Sequence, residues 1–378
     1  MAISFIITTY NVLPYIQRCL ESVAAVVQPG DEVILVDDGS NDGTVEQVQA
    51  FVNATPFPKE VAFHPIYLGT NTFGGVGIGA NIGLTKASCD TIFFVDGDDW
   101  IDPPSFARTR AHWVLNPSDI LLTNYLEFDE TARQIRQPAD TQKWAVLKRD
   151  APLSELRLQA LALIAVPWRK FYRRDFLESH KLRFPEGDFF FEDNPFHWAV
   201  CLRANAITFL DVVICYHRTN RPGQTMASTG AELAAFFTHF RTIQDDLSDD
   251  DDRLQFAAAS WLIENMAWQM DRLAPSAYGN YAKEAARSLA MIPDHIWEGP
   301  LAEQESGRDV WAMAERLRSG DIYGQIDSWE RQALNRELAR MDQRLQELAH
   351  QGEATHDQVM GLVAARDFAI LHERKCGR

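Results

Sequence analysis

A chain of 378 residues is long enough for two domains of about 150 residues each. With 46% apolar and 24% charged residues, a largely disordered chain is excluded, and 22 Phe and 10 Trp supply bulk for a sizeable core. The formal charge of −17 disfavours nonspecific binding to nucleic acid or anionic lipid.

In chain order, Ile3–Thr8 is a short β-rich run that predicts a buried strand. The opening MAISFIITTYN has no basic segment, so it reads as that strand rather than as a signal peptide. Ile16, Leu20, Val23 and Val27 follow at helical spacing, with Pro14 near the helix start. Glu32–Val36 predicts a second strand ending at Asp37-Asp38-Gly39-Ser40, and a helix through Val45 and Val48 comes next. Val61–Ile66 predicts a third strand, and Gly74 to Ala80 a glycine-rich turn into a helix. Thr91–Val95 predicts a fourth strand ending at Asp96-Gly97-Asp98-Asp99, and Ile120–Thr123 a fifth. Repeated strand–helix alternation implies βαβ units and a mostly parallel sheet. Such sheets bind ligands beyond the carboxyl ends of their strands, where both aspartate clusters fall.

Residues 126–150 read as a polar connection, 153–166 as an apolar helix, and Thr208–Ile214 as a later strand. Tyr216 to Thr225 is a basic loop with Pro and Gly. From Ala231 onward the pattern is helical, broken by the acidic run Asp249 to Asp252, which reads as a solvated loop. Leu334, Leu338, Met341, Leu345 and Leu348 form a heptad seam lasting about two heptads. Cys19, Cys89, Cys201, Cys215 and Cys376 are widely spaced with no CxxC, which fits neither a disulfide framework nor a zinc site and points to the cytoplasm. No apolar run is long enough to span a membrane.

Asp96, Asp98 and Asp99 crowd three carboxylates behind an apolar strand. They repel one another unless a hard cation such as Mn2+ or Mg2+ joins them; the competing reading is a surface turn with a helix cap. Asp37 and Asp38 offer a carboxylate to a nucleobase or ribose, while Ser40 or Asp42 caps the next helix. Glu192 and Asp193 follow Phe189-Phe190-Phe191, where desolvation lifts a carboxylate towards a useful base; they also suit a helix N-terminus. Arg218 and Arg221 suit phosphate and His217 suits a metal, against a plain solubilising role. Gly75-Val76-Gly77-Ile78-Gly79-Ala80 fits G-x-G-x-x-A and supports an NAD(P)-dependent oxidoreductase, but eight residues separate Ile66 from Gly75 where a dinucleotide fold feeds its strand straight into the glycines.

Taken together and in order, ISFIITTYN, VDDGSNDGT, GANIGLTKA, FFVDGDDW and FEDN resemble the inverting family-2 nucleotide-sugar glycosyltransferases over about residues 1–225. PWRKFYRRDFL resembles that family's segment before the acceptor site. The resemblance implies an α/β GT-A catalytic domain at 1–225, a Rossmann-like mixed, mostly parallel sheet flanked by helices. An α-helical C-terminal region at 231–378, for packing or self-association, follows it. By resemblance, Thr9 and Tyr10 line the nucleobase pocket and Asp38 accepts from the base. Asp96 and Asp98 form the DxD pair at the ribose and the metal-bound diphosphate, with Asp99 close enough to share the cation. Asp193 is the implied general base, oriented by Glu192. The family's Arg before Asn is Ala80 here, which leaves the diphosphate to Arg218 or Arg221. The implied reaction is metal-dependent inverting transfer from a nucleoside diphosphate sugar, UDP by family frequency, to a hydroxyl acceptor in polysaccharide or glycolipid synthesis. Association with the inner membrane face and pairing of two copies stay open, as does a nucleotide-sugar-binding protein without catalysis.

Overall fold

The computed structural model describes residues 1–54, 57–187, 190–223, 229–248 and 251–376. Thr225, Phe189, Asp249 and Asp250, which end or belong to predicted segments, lie outside these residues. The continuous apolar runs become strands covered on both faces, as parallel sheets require. Strands β1 (Ile3–Thr9) and β2 (Glu32–Asp37) are buried along their whole length. Helix α1 (Leu13–Ala24) lies between them, and α2 (Thr44–Ala54) leads to β3 (Ala62–Tyr67), a half-exposed edge strand. Helix α3 (Gly77–Lys86) precedes β4 (Thr91–Asp96), which is buried up to its last residue.

Next come β5 (Trp100–Ile101) and α4 (Pro103–Leu115), whose N-cap Asp102 accepts from the Ser105 amide. Then follow β6 (Ile120–Asp129), β7 (Gln134–Arg136), α5 (Thr141–Ala145) and α6 (Leu153–Leu161). The sheet is completed by β8 (Lys170–Arg173) and β9 (Ile207–Thr219), with α7 (Arg174–Ser179) and α8 (Asp193–Arg203) between them. Its order is β3-β2-β1-β4-β8-β6-β9-β5, with β7 on β6. The long pairings β1–β2, β1–β4, β2–β3 and β6–β9 are parallel. Short β8 is antiparallel to both β4 and β6. The expected mixed, mostly parallel sheet flanked by helices is therefore present. Phe5, Phe93, Phe106 and Phe171 anchor its core, with the rings of Phe93 and Phe106 4.9 Å apart and edge-on.

Several boundaries move. β6 runs six residues past Thr123 into the expected polar connection, and β9 runs through Thr219 into the expected basic loop. Each strand supplies the other's hydrogen bonds from Ile120–Ile207 to Asp129–Thr219, so pairing overrides local polarity. The helix expected at 153–166 ends at Leu161. β5, β7 and β8 are too short to show a period in sequence.

Beyond β9, helices α9 (Ala235–Asp245), α10 (Asp252–Gln269) and α11 (Tyr278–Leu289) bury Phe237, Phe240, Leu262, Met266 and Leu289. One compact unit spans Met1–Gly320 and a second spans Asp321–Arg378. Compactness thus groups α9 to α11 with the sheet and divides the chain at Gly320. The second unit is a single helix, Ile322–Cys376, whose Leu334, Leu338, Met341, Leu345 and Leu348 are all exposed. Among the described residues, no helix is long and apolar enough to cross a membrane. Cys19, Cys89, Cys201 and Cys215 are free thiols.

Candidate active site

Register brings the candidate side chains to one edge. Thr9 pairs with Asp37 across β1–β2, and Thr8 pairs with Asp96 across β1–β4. The Thr9 hydroxyl donates to Asp37 Oδ2 at 2.8 Å, and the Ser40 amide donates to Asp37 Oδ1 at 2.8 Å. Asp37 is thereby committed to the turn, and Asp38 is the carboxylate left at the edge. Asp38 accepts from the Thr72 amide at 2.9 Å and the Thr72 hydroxyl at 3.0 Å, while burial raises its proton affinity. Gly39, at φ +75°, lets the backbone of Thr70 and Asn71 press against this turn, with Thr70 Cα only 2.8 Å from where a Cβ would sit. Tyr10, just past β1, is exposed. Asp42 caps as expected: it accepts from the Thr44 amide at 3.0 Å.

One oxygen each of Asp96, Asp98 and Asp99 converges within 4.8 Å. Asp98 and Asp99 are buried. Burial, then the charges of Asp99 and Asp98, push the Asp96 carboxyl well above its usual range. That is the signature of a cluster with more negative charge than its neighbours offset. Hard, closely spaced oxygens of this kind fit Mg2+ or Mn2+.

β9 supplies the counter-charges. His217 Nδ1 lies 2.9 Å from Asp99 Oδ2, and the Arg218 amide donates to Asp99 Oδ1 at 2.7 Å. Burial favours a neutral imidazole, but Asp99, Asp98 and Asp96 outweigh it and lift His217 to about 9. His217 is thus a cation that donates to Asp99, and the converging donors are the three carboxylates. Trp168 stacks on its ring at 4.9 Å. Arg221 Nε pairs with Asp98 Oδ2. Arg218 Nε donates to the Asp98 carbonyl at 2.9 Å, its guanidinium lies 4.4 Å from the centre of the Tyr15 ring, and Glu130 pairs with it. Asp96, Asp98, Asp99, His217, Arg218 and Arg221 therefore form one group.

Glu192 and Asp193 open α8 and diverge. Glu192 reaches back to the start of α3, where its Oε1 accepts from the Gly77 amide at 2.6 Å. Burial is the main cause that pushes it to about 7. A Cβ on Gly77 would lie 2.8 Å from Glu192 Cγ, and one on Gly75 would meet its carboxylate. This corrects the dinucleotide expectation for Gly75 to Ala80: the helix end where a pyrophosphate would sit already holds a carboxylate of the same chain. Asp193 is partly exposed, and its Oδ1 accepts from Asn194 Nδ2 at 3.0 Å. Burial raises its proton affinity and the charge of Lys170 opposes this. Its own charge is felt at Asp96, so Asp193 shares one electrostatic site with the aspartate cluster.

Two further groups support the site. Asn81 donates to the Phe184 carbonyl at 2.8 Å and accepts from the Phe184 amide at 2.9 Å, tying α3 to the segment before Glu192. Its place inside the GANIG motif was its signal; its partner, 103 residues away, was not visible. Lys170 of β8 and His197 of α8 are a buried pair, the lysine hidden in sequence within an ordinary basic stretch. Ala80 is buried, so the position of the missing arginine faces the interior.

Residues 4–181 match the family model described as Glycosyl transferase family 2. The uncharacterized glycosyltransferase EpsJ of Bacillus subtilis (strain 168) is 27% identical over 219 residues, covering 58% of this chain and 61% of that protein. The poly(ribitol-phosphate) beta-N-acetylglucosaminyltransferase TarS of Staphylococcus aureus (strain MW2) is 29% identical over 253 residues, covering 66% of this chain and 41% of that protein. The chain thus spans less than two thirds of the length of these relatives. The crystal structure of S. aureus TarS 1-349 in complex with UDP-GlcNAc superposes with a TM-score of 0.67 at 22% identity, covering 88% of this chain and 92% of that chain. The shared architecture is the expected GT-A fold.

Proposed function

Because residues 4–181 match the Glycosyl transferase family 2 model, we propose that the chain transfers a sugar with inversion from a UDP-sugar to a hydroxyl of a saccharide or glycolipid acceptor. The observation that carries this reading is the convergence of Asp96, Asp98 and Asp99 within electrostatic reach of Asp193. UDP-GlcNAc is the first donor to try, since the structurally similar TarS is complexed with it. In this reading Thr9, Tyr10 and Asp38 receive the nucleoside at the strand ends. Arg218 and Arg221, beside Asp98, face the diphosphate in place of the arginine missing at Ala80. Asp96 and Asp98 hold a divalent cation, with Asp99 held behind them by His217. When bound, that cation supplies electrostatic stabilisation of the leaving diphosphate.

Asp193 takes the proton of the acceptor hydroxyl as that oxygen bonds to the anomeric carbon. The anomeric carbon–oxygen bond to the diphosphate breaks, and its electron pair leaves with UDP. A single displacement inverts the centre, so no carboxylate nucleophile is required. We extend the proposal to a cytoplasmic setting, supported by the free thiols, and to pairing of two copies through the exposed seam Leu334–Leu348. The test is nucleotide release from a panel of UDP-, GDP- and dTDP-sugars with Mn2+, comparing wild type with Asp193→Asn. Loss of the base should cost about 10²–10⁴-fold in rate. Undiminished release by Asp193→Asn would overturn the assignment of the base, and release from no sugar in the panel would overturn the donor reading.

A further inference from the structure

We propose that Lys170 is a positioning residue for transfer: its buried ammonium keeps Asp193 in the ionised, proton-accepting form. This rests on the reading of Asp193 as the base. Lys170 opens β8 and is completely buried. A buried ammonium is tolerated only when its donors are met and a counter-charge is near. Two of the three donors of Lys170 find acceptors, and Asp193 and Asp140 are the anions whose charge favours it. Its Nζ donates to the Ala165 carbonyl at 2.7 Å and lies 2.9 Å from His197 Nδ1. On the far side of the ring, His197 Nε2 lies 2.9 Å from the Ala160 carbonyl. A carbonyl oxygen can only accept, so Nε2 bears the hydrogen. Burial, then the charge of Lys170, holds this imidazole neutral, which leaves Nδ1 bare to accept from the lysine. Asp193 and His197 stand four residues apart on α8 and so share one face, and the relay from α6 through His197 holds the ammonium against that face.

The surrounding charges give the arrangement its purpose. Facing Lys170 are Arg169 on its own segment, Asp140, and Cys201 and Asp193 from α8. Burial and Arg169 work against the ammonium, while Cys201, Asp193 and Asp140 favour it, and the balance lies at about 7. Cys201 is itself pushed up to about 12 and stays a neutral thiol, so Asp193 and Asp140 are the true anions. Around Asp193 stand Lys170, Asn194, Glu192 and Asp96. Burial favours its protonated form; Lys170 is the largest cause that opposes it, ahead of the hydrogen bonds from the Asn194 amide and side chain. An opposite charge close by typically lowers a carboxyl pKa by about one to three units.

The experiment uses the full chain and the sugar nucleotide turned over fastest in the panel above. The rate is followed from about pH 5 to about pH 9 for wild type, Lys170→Met and Asp193→Asn, beside UDP affinity with Mn2+ by calorimetry. Lys170→Met should move the acid limb up by about one unit or more, a loss that grows towards about tenfold at the acid end of the range, with UDP affinity unchanged. Above about pH 7 the lysine itself gives up its proton, so the two profiles should converge there. A loss by one factor at every pH, or an unmoved limb, would mean a role in packing alone and would overturn the proposal. Should Lys170→Met not fold, His197→Leu keeps the lysine and removes one acceptor, and its limb should move the same way; an unmoved limb there also overturns it. Inactive Asp193→Asn beside an unmoved Lys170→Met limb rejects Lys170 alone. Active Asp193→Asn rejects the base assignment, and this inference with it.

Discussion

Replacing Glu192 by Gln isolates one buried carboxyl whose cost can be worked from the structure. Glu192 is 4% exposed, and burial lifts it from the ordinary 4.5 to about 7. The unfolded chain therefore releases this proton before the folded protein does. Between those two values the native state holds the extra proton, so stability falls as pH rises through that window. The contribution is complete below about 4.5 and gone above about 7, and a difference of that size is worth about 3 kcal/mol. Gln keeps an oxygen to accept from the Gly77 amide but cannot ionise. Urea unfolding of wild type and Glu192→Gln at about pH 5 and about pH 8 cancels every other titration to first order. The variant should gain on wild type by about 2.5 kcal/mol between the two conditions, because at about pH 5 the unfolded carboxyl is already largely ionised. Parallel pH dependences would refute the reasoning and show that Glu192 does not titrate in its buried site.

Asp98→Ala should lower UDP affinity in Mn2+ by at least about tenfold, or about 1.4 kcal/mol, with little change in chelator; calorimetry that finds equal affinities in Mn2+ rejects the cation site. Gly83→Ala drives a methyl into Ile6 on β1 and should cost about 1–3 kcal/mol in thermal or urea unfolding; unchanged stability would mean that α3 can lift off the sheet. Light scattering should give twice the chain mass for the full-length protein and the single mass for Leu338→Glu/Leu345→Glu; single mass for the wild type removes the proposed pairing.

The parallel half of the sheet was legible because β1, β2 and β4 are short, mostly apolar runs, the latter two ending in aspartates, and their covered faces leave little ambiguity. The aspartate cluster was legible for the same reason: three carboxylates at a strand end are a local fact. What was hidden was created at long range. β9 looked like a short strand and a basic loop because Tyr216–Thr219 are polar and run into Arg221-Pro222-Gly223, and only their pairing with Leu126–Asp129 makes them a strand. That extension sets His217 against Asp99, a contact across 118 positions. Glu192 read as a partner of Asp193 because they are adjacent, yet its carboxylate serves a helix 115 positions earlier. Lys170 carried no signal, since a buried lysine and an exposed one are the same letter.

The placement of β8 has a consequence for synthesis on the ribosome. β4 meets β1 on one side and β8 on the other, and β6 also reaches β4 only through β8. Until Lys170–Arg173 leave the exit tunnel, the nascent parallel half has an unpaired, apolar border at Thr91–Phe93. Such a border is a template for foreign strands. Chain growth of about 5–20 residues per second leaves it open for several seconds after β4 is made. The four-residue strand that joins the halves thus also sets the moment at which the growing chain stops being vulnerable to aggregation.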